Sequence, residues 1–182
     1  MKGFNNYTER EEFSIFKKFF LDHGRCKEMK KKEYFAEQGI GTTHAAYVEK
    51  GMFRYVCTDE NGCEHIVGYA FAGEYVGDYP QCIKKEKAIV SIQATTDSLI
   101  YYASAQEITN FFSTDKSTQE LEKILAEELF VQTYKRLLDI YCKTPTELYV
   151  DLVRHYPDFL NYITLREIAS FLRVTPETIS HI

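Results

Sequence analysis

The sequence predicts an α+β chain: an N-terminal antiparallel β-roll with flanking helices, then one long helix, then a small helical module. Three observations predict it. Short runs rich in Val, Ile, Tyr and Phe alternate with turn residues from Glu33 to Ser104. From Thr114 onward the apolar spacing becomes helical and stays so. Between Glu120 and Cys142 there is neither Pro nor Gly to interrupt a helix. The division that follows is 1–114 for the roll, 115–142 for the long helix and 143–182 for the module.

The chain opens with a helix. Thr8 and Glu11 form a capping-box pair, and Phe13, Phe16, Phe20 and Leu21 make one apolar face. The basic run Lys27 to Lys32 reads as a solvated helix end. Strands are expected at Ala45–Val48, Gly51–Thr58, Cys63–Ala70, Ile89–Ala94 and Ser98–Ala103. Turns fall at Gln38-Gly39, Lys50-Gly51, Glu60-Asn61-Gly62, Ala72-Gly73 and Gly77-Asp78. Asn61-Gly62 is the sharpest hairpin signal, because a type I′ turn needs positive φ at both central positions.

The long helix starts at a second capping pair, Ser117 and Glu120, and about 25 residues make it roughly 37 Å long. Leu121, Ile124, Leu125, Leu129, Val131 and Leu138 cover more than one stripe of it. One face can pack on the roll while another meets a second copy of the chain, so a homodimer is expected.

The module is marked by its caps. Thr144-Pro145-Thr146-Glu147 starts one helix and Pro157 ends it; Thr164 with Glu167 starts the next, and Thr175-Pro176 the last. Ile168, Ala169, Leu172, Val174, Ile179 and Ile182 hold the last two helices together across the turn Arg173-Val174. Thr175, Glu177, Thr178 and His181 then face outward, where a recognition helix meets base edges and phosphates. An ordinary helical hairpin has the same spacing. The module carries four Lys or Arg against five acids, and the sequence ends about two turns into its last helix. Phosphate contacts supply much of DNA affinity, so DNA binding by this stretch alone is expected to be weak.

Bulk properties limit the function classes. The net charge of -5 argues against wholesale nucleic-acid coating. The five cysteines include no Cys-x-x-Cys pair, and no charged-then-apolar leader opens the chain. No apolar run approaches the roughly 18 residues of a membrane span. A reduced cytoplasmic protein away from membranes is therefore expected. Cys57 and Cys63 lie close in the expected hairpin as a candidate redox pair. Cys26 alone near the N-terminus is too little for an iron–sulfur cluster. The five histidines are dispersed, with no His-x-His, so neither a metal site nor a cupin-like enzyme is expected.

Leu165-Arg166-Glu167-Ile168-Ala169-Ser170-Phe171-Leu172 with Thr175-Pro176-Glu177-Thr178-Ile179-Ser180 resembles the helix-turn-helix of the Crp/Fnr superfamily, in its Bacteroidetes form. Thr146 to Leu152 with Pro157 is similar to that group's linker helix. Lys50-Gly51-Met52-Phe53-Arg54 followed by Asn61-Gly62-Cys63-Glu64 looks like the family's Lys-Gly strand and hairpin. Phe71-Ala72-Gly73-Glu74-Tyr75-Val76-Gly77-Asp78 is similar to its phosphate-binding cassette. The resemblance covers nearly the whole chain. It implies a cyclic-nucleotide-binding-like double-stranded β-helix, a dimerisation helix and a winged helix-turn-helix, here incomplete. The implied function is a ligand-responsive transcription regulator, not an enzyme, with double-stranded DNA as partner. The alternative is an effector-binding or heterodimerising module without DNA-binding activity.

Residue by residue, the resemblance implies ligand contacts from Phe71, Gly73, Tyr75, Val76, Gly77, Asp78, Lys87, Ala88 and Ile89. Gly73 and Gly77 would expose backbone N–H groups to an anion, and Asp78 would accept from a ribose hydroxyl. Ala88 and Ile89 stand where the family has Arg and Ser or Thr, and an aliphatic pair cannot clamp a phosphate. Lys84, Lys85 and Lys87 nearby lack the planar fork of Arg. Cyclic AMP held in the usual way is not expected: the pocket either takes another small-molecule effector or is empty and only structural, and no cofactor is called for. DNA contacts are implied for Thr164, Arg166, Thr175, Pro176, Glu177, Thr178, Ser180 and His181. Glu177 matches the family's base-reading Glu, while His181 stands for its usual Arg and Arg173 for its usual turn Gly.

Overall fold

The computed structural model describes residues 11–156 and 160–181. The cap expected at Thr8, the stop at Pro157 and the apolar contact of Ile182 lie outside them. The molecule forms two compact units that divide between Ile124 and Leu125.

The first unit opens with a 3-10 turn, Glu11–Phe13, and helix α1, Ser14–His23. Eight strands follow: β1 Arg25–Met29, β2 Tyr34–Ala36, β3 His44–Lys50, β4 Met52–Thr58, β5 Glu64–Phe71, β6 Tyr75–Val76, β7 Ser91–Ala94 and β8 Ser98–Ser104. Helix α2, Tyr79–Lys84, interrupts them after β6, and α3, Ala105–Phe112, closes the set. The strands make two antiparallel four-stranded sheets, ordered β1-β8-β3-β6 and β2-β7-β4-β5. Met29, Ala46, Val48, Val76 and Ile100 of one sheet share a single buried core with Ala36, Phe53, Ala70, Ile92 and Ala94 of the other. Four of these ten are alanines, which leaves little space inside the roll.

The outer face of the first sheet is covered by aromatic rings. Phe16 is buried, with its ring centre 4.9 Å from those of Phe20 and Tyr75 and 5.0 Å from that of Phe112. Phe19 stacks on Phe111 at 4.6 Å, and the Tyr75 hydroxyl donates to the Phe13 carbonyl at 3.2 Å. The buried face of α1 is therefore Phe16, Phe19 and Phe20, continued by Phe13 of the turn before it, whereas Leu21, expected there, is exposed.

Three local expectations are corrected. The basic run does not end a helix: Lys27 sits in β1 opposite Ile100, and the stretch turns back to Asp97, whose carboxylate accepts from the Lys31 N–H at 2.9 Å. Charged side chains suit β1 because it is an edge strand, open to unwanted pairing. The β4–β5 hairpin is not a type I′ turn, since only Gly62 of the Asn61-Gly62 pair has positive φ. Instead the Gly62 N–H donates to the Asp59 carbonyl at 3.0 Å, and Asp59 Oδ1 accepts from the Asn61 and Cys63 N–H groups, both at 2.9 Å. That is a longer loop with glycine in the left-handed position. The long helix, α4, Lys116–Cys142, is capped by Asp115 with Thr118 rather than by Ser117 with Glu120: Asp115 Oδ1 accepts from the Thr118 N–H at 2.9 Å.

The second unit holds the distal part of α4 and three short helices: α5 Pro145–His155, α6 Leu165–Leu172 and α7 Pro176–Ser180. The caps stand as expected: Thr144 with Glu147 and Thr164 with Glu167 form reciprocal boxes, and the Thr175 hydroxyl accepts from the Thr178 N–H. Leu152, Ile163, Ile168, Ala169, Phe171, Leu172 and Ile179 are buried. Helix α6 ends with Arg173 at φ 58°, and the Val174 and Arg173 N–H groups return to Ala169 and Ser170 carbonyls at 2.9 and 3.2 Å. A left-handed non-glycine residue is strained, so Arg173→Gly is expected to stabilise this unit by about 1 kcal/mol. A higher unfolding temperature of the variant checks this, and an unchanged or lower one counts against it.

Candidate functional site

The cassette-like segment runs from the end of β5 to the start of α2. Val76 pairs with Ala46 and Tyr75 with Tyr47, so β6 is stitched to β3. Gly77 follows where a Cβ would come within 2.9 Å of the Ala45 side chain, which requires glycine at this crossing. Asp78 then precedes α2, which has Pro80 in its first turn.

The donors expected to face an anion are already used. The Gly73 N–H donates to the Val48 carbonyl at 2.8 Å, and the Gly77 N–H to the Tyr55 hydroxyl at 3.2 Å. Asp78, only 4% exposed, turns its Oδ2 to the Ile89 N–H, from which it accepts at 2.7 Å. Ala88 is buried, and its own N–H goes to the Ile40 carbonyl at 2.8 Å. Phe71 and Val76 belong to the packed interior, while Lys87 and Ile89 lie on the surface with Lys84 and Lys85. The nine expected ligand residues thus fall into buried framework and solvated surface, rather than lining one open seat.

The electrostatics point the same way. Glu74 is 1% exposed and accepts from the Phe71 N–H at 3.0 Å. Desolvation holds the Tyr55 phenol above its ordinary pKa against the Gly77 N–H, and the Glu74 and Asp78 charges add to the rise. Burial, with Asp78 beside it, likewise pushes the Cys82 thiol up to about 11. A phosphate entering here would meet two buried carboxylates and no unspent cassette N–H among Gly73, Glu74 and Gly77.

Two concavities lie elsewhere in this unit. An apolar groove of about 290 Å³ is lined by Glu12, Ile15, Ser117, Thr118, Glu120, Leu121 and Ile124. A more polar one of about 150 Å³ runs beside β2, from Tyr34 to Ala36 and on past Ile40 to His44. Sequence reasoning did not single out either. Ile15, an apolar residue 49% exposed beside the buried Phe16 face of α1, was the available signal for the first. All five cysteines are free, and among the described residues no three His, Cys, Asp or Glu side chains gather as a metal site. His65 contacts Asp59 across the hairpin at 2.8 Å, and the ladder sets Cys57 opposite His65 rather than Cys63. Among the described residues no helix is long and apolar enough to cross a membrane.

In the second unit, Arg166, Glu177, Ser180 and His181 are exposed. Thr178 is half-buried, not outward, and the Thr164 and Thr175 hydroxyls are spent as caps. Pro176 is exposed at the start of α7. A backbone hydrogen bond in that first turn, helped by the Thr175 hydroxyl, holds the Glu177 carboxyl below the ordinary glutamate range. Of the expected dimer residues, Leu121 and Leu125 are buried within the chain and Ile124 and Leu129 half-buried. Val131 and Leu138 are exposed, and Phe130, Tyr134, Leu137 and Tyr141 join them, Tyr141 at 80% and Phe130 at 68%.

Residues 26–115 match the family model of the cyclic nucleotide-binding domain. No curated protein matches the chain in sequence. Solved structures with a similar fold include the c-di-GMP-responsive global regulator CLP of Xanthomonas campestris, at 17% identity and a TM-score of 0.66 over 92% of this chain and 88% of that one. FixK2 of Bradyrhizobium japonicum follows at 16% identity and a TM-score of 0.68, over 87% of this chain and 81% of its own. A Eubacterium rectale protein assigned to the Crp/Fnr family of transcriptional regulators gives 17% identity and a TM-score of 0.69, over 92% and 80%. Residues 26–115 thus match a cyclic nucleotide-binding domain, and the fold of the chain is similar to that of these solved regulators.

Proposed function

We propose that this chain is a cytoplasmic, homodimeric transcription regulator of the Crp/Fnr type whose roll responds to a small effector but does not seat cyclic AMP in the usual way. The observation that carries the ligand reading is the closed cassette: Asp78 bonded to Ile89, Gly77 bonded to Tyr55, and Glu74 buried beside them. The reader is α6–α7, with Arg166, Glu177, Ser180 and His181 as its exposed side chains. Regulation then requires the effector to bind one arrangement of the dimer better than another.

A second reading, an effector-binding or heterodimerising module without DNA activity, is favoured by the acid excess over Lys and Arg in 143–182. Selection of the full chain against a random duplex pool, followed by anisotropy at two salt concentrations, separates the two. The regulator reading expects an enriched sequence class, and a loss of about tenfold or more on Glu177→Ala or Arg166→Ala. Uniform weak binding that the two substitutions leave unchanged would overturn it in favour of the second reading.

A further inference from the structure

The exposed stripe of α4 changes character along its length. In heptad terms Val131 and Leu138 take the a positions and Tyr134 and Tyr141 the d positions, all four exposed. Followed back along the same helix, the frame puts Ile124 at a and the exposed Glu120 and Glu127 at d. The distal half of the stripe is therefore apolar. The proximal half carries carboxylates where a self-paired helix meets its own copy, so apolar burial does not decide what pairs there.

The flanks follow from the same frame. Lys123, Phe130 and Leu137 stand at g, and Glu128, Lys135 and Cys142 at e. Of these only Glu128 is half-buried; the others are exposed. Between parallel helices a g residue faces the e residue of the partner's next heptad, and charges at those places set which helices associate. A second copy then brings Lys123 to the partner's Glu128, as an ion pair, and Phe130 to the partner's Lys135, as a cation over a ring. Within the chain Lys123 contacts Glu120 at 3.6 Å, both side chains 62% exposed. A surface pair of that kind holds weakly and gives way to a better-placed one.

We infer that Lys123 and Glu128 are specificity-determining residues of α4. They select a second copy of this chain, lying parallel, over a relative that lacks the opposite charge at either place. The inference rests on the proposed homodimer and deepens it, because the apolar stripe alone would accept any apolar helix. Glu120 and Glu127 supply the other half of the choice: their carboxylates penalise every pairing that the flanking cations do not offset.

A charge swap in the full chain tests this. Lys123→Glu and Glu128→Lys each set like charges together twice per dimer, and each alone is expected to raise the dissociation constant about tenfold or more in sedimentation. Mixed in equal amounts, one of them isotope-labelled, the two variants regain both opposite pairs. Native mass spectrometry is then expected to show the mixed dimer in large excess over either homodimer, and the excess should fade in high salt. Damage to the helix itself cannot produce that result, because a second chain does not repair the first. A dimeric parent whose variants assort at random, or dimerise alone as tightly as the parent, overturns the inference and leaves the homodimer standing. A monomeric parent overturns both.

Discussion

Replacing Phe16 with alanine is expected to destabilise the first unit by about 3–5 kcal/mol, the usual cost of emptying a buried phenylalanine site. Phe16 touches the Phe19, Phe20, Tyr75, Phe111 and Phe112 rings, so its loss opens a void that rigid aromatic neighbours cannot readily close. For a chain of this size the unfolding temperature should fall by about 10 °C. Tyr75 sits in β6, so the damage reaches the cassette even though Phe16 lies outside the roll. Ile15→Ala, one position away and half exposed, serves as the control and should stay within about 0.5 kcal/mol. Equal losses in the two variants would mean that the ring cluster is not the clamp described.

Placing two carboxylates on the exposed stripe of α4, as Tyr134→Glu with Leu138→Glu, is expected to dissociate the dimer. Val131, Tyr134, Leu138 and Tyr141 follow a heptad spacing, with Phe130 and Leu137 beside them, and all six are exposed. Each such side chain contributes about 1.5–3 kcal/mol when fully buried, so a seam of them suffices to hold two helices together. A symmetric pairing brings each new charge close to its own copy in a dry seam. The combined cost is on the order of 4 kcal/mol, or about a thousandfold in the dissociation constant. Sedimentation should show the unaltered chain as a dimer and the double variant as a folded monomer. A monomeric parent, or a variant that stays dimeric, would remove the seam from the account.

The two units were legible in the sequence to different degrees. The second was nearly transparent, because each of its short helices begins at a threonine cap whose bonding partner is three residues away. Thr144, Thr164 and Thr175 act as that pattern says. Such caps depend on local chemistry alone. Strands β3, β4, β5, β7 and β8 were legible to within a residue or two for a similar reason: they are central or have buried, β-branched runs.

What failed needed the tertiary structure. Strand β1 has one buried residue, Met29, and is a strand only because β8 offers it a partner. Helix α3 was hidden behind the end of β8, although Ser104 and Glu107 form a capping box there. Helical spacing does not distinguish an apolar side chain of α4 buried within the chain, such as Leu121, from one left exposed, such as Leu138. The cassette was legible as a motif, but not its closure. That closure needs Tyr55, more than twenty positions upstream of Gly77, and Ile89, eleven downstream of Asp78, and only folding brings them together.

The proposed regulator holds the groups of its cassette in its own bonds, Gly77 to Tyr55 and Asp78 to Ile89. Calorimetric titration of cyclic AMP into the purified chain is the decisive experiment. The closed cassette predicts no saturable heat even at about millimolar nucleotide, a level at which a site worth 4 kcal/mol would be half filled. Saturable binding with a micromolar constant, lost on Asp78→Ala, would contradict it.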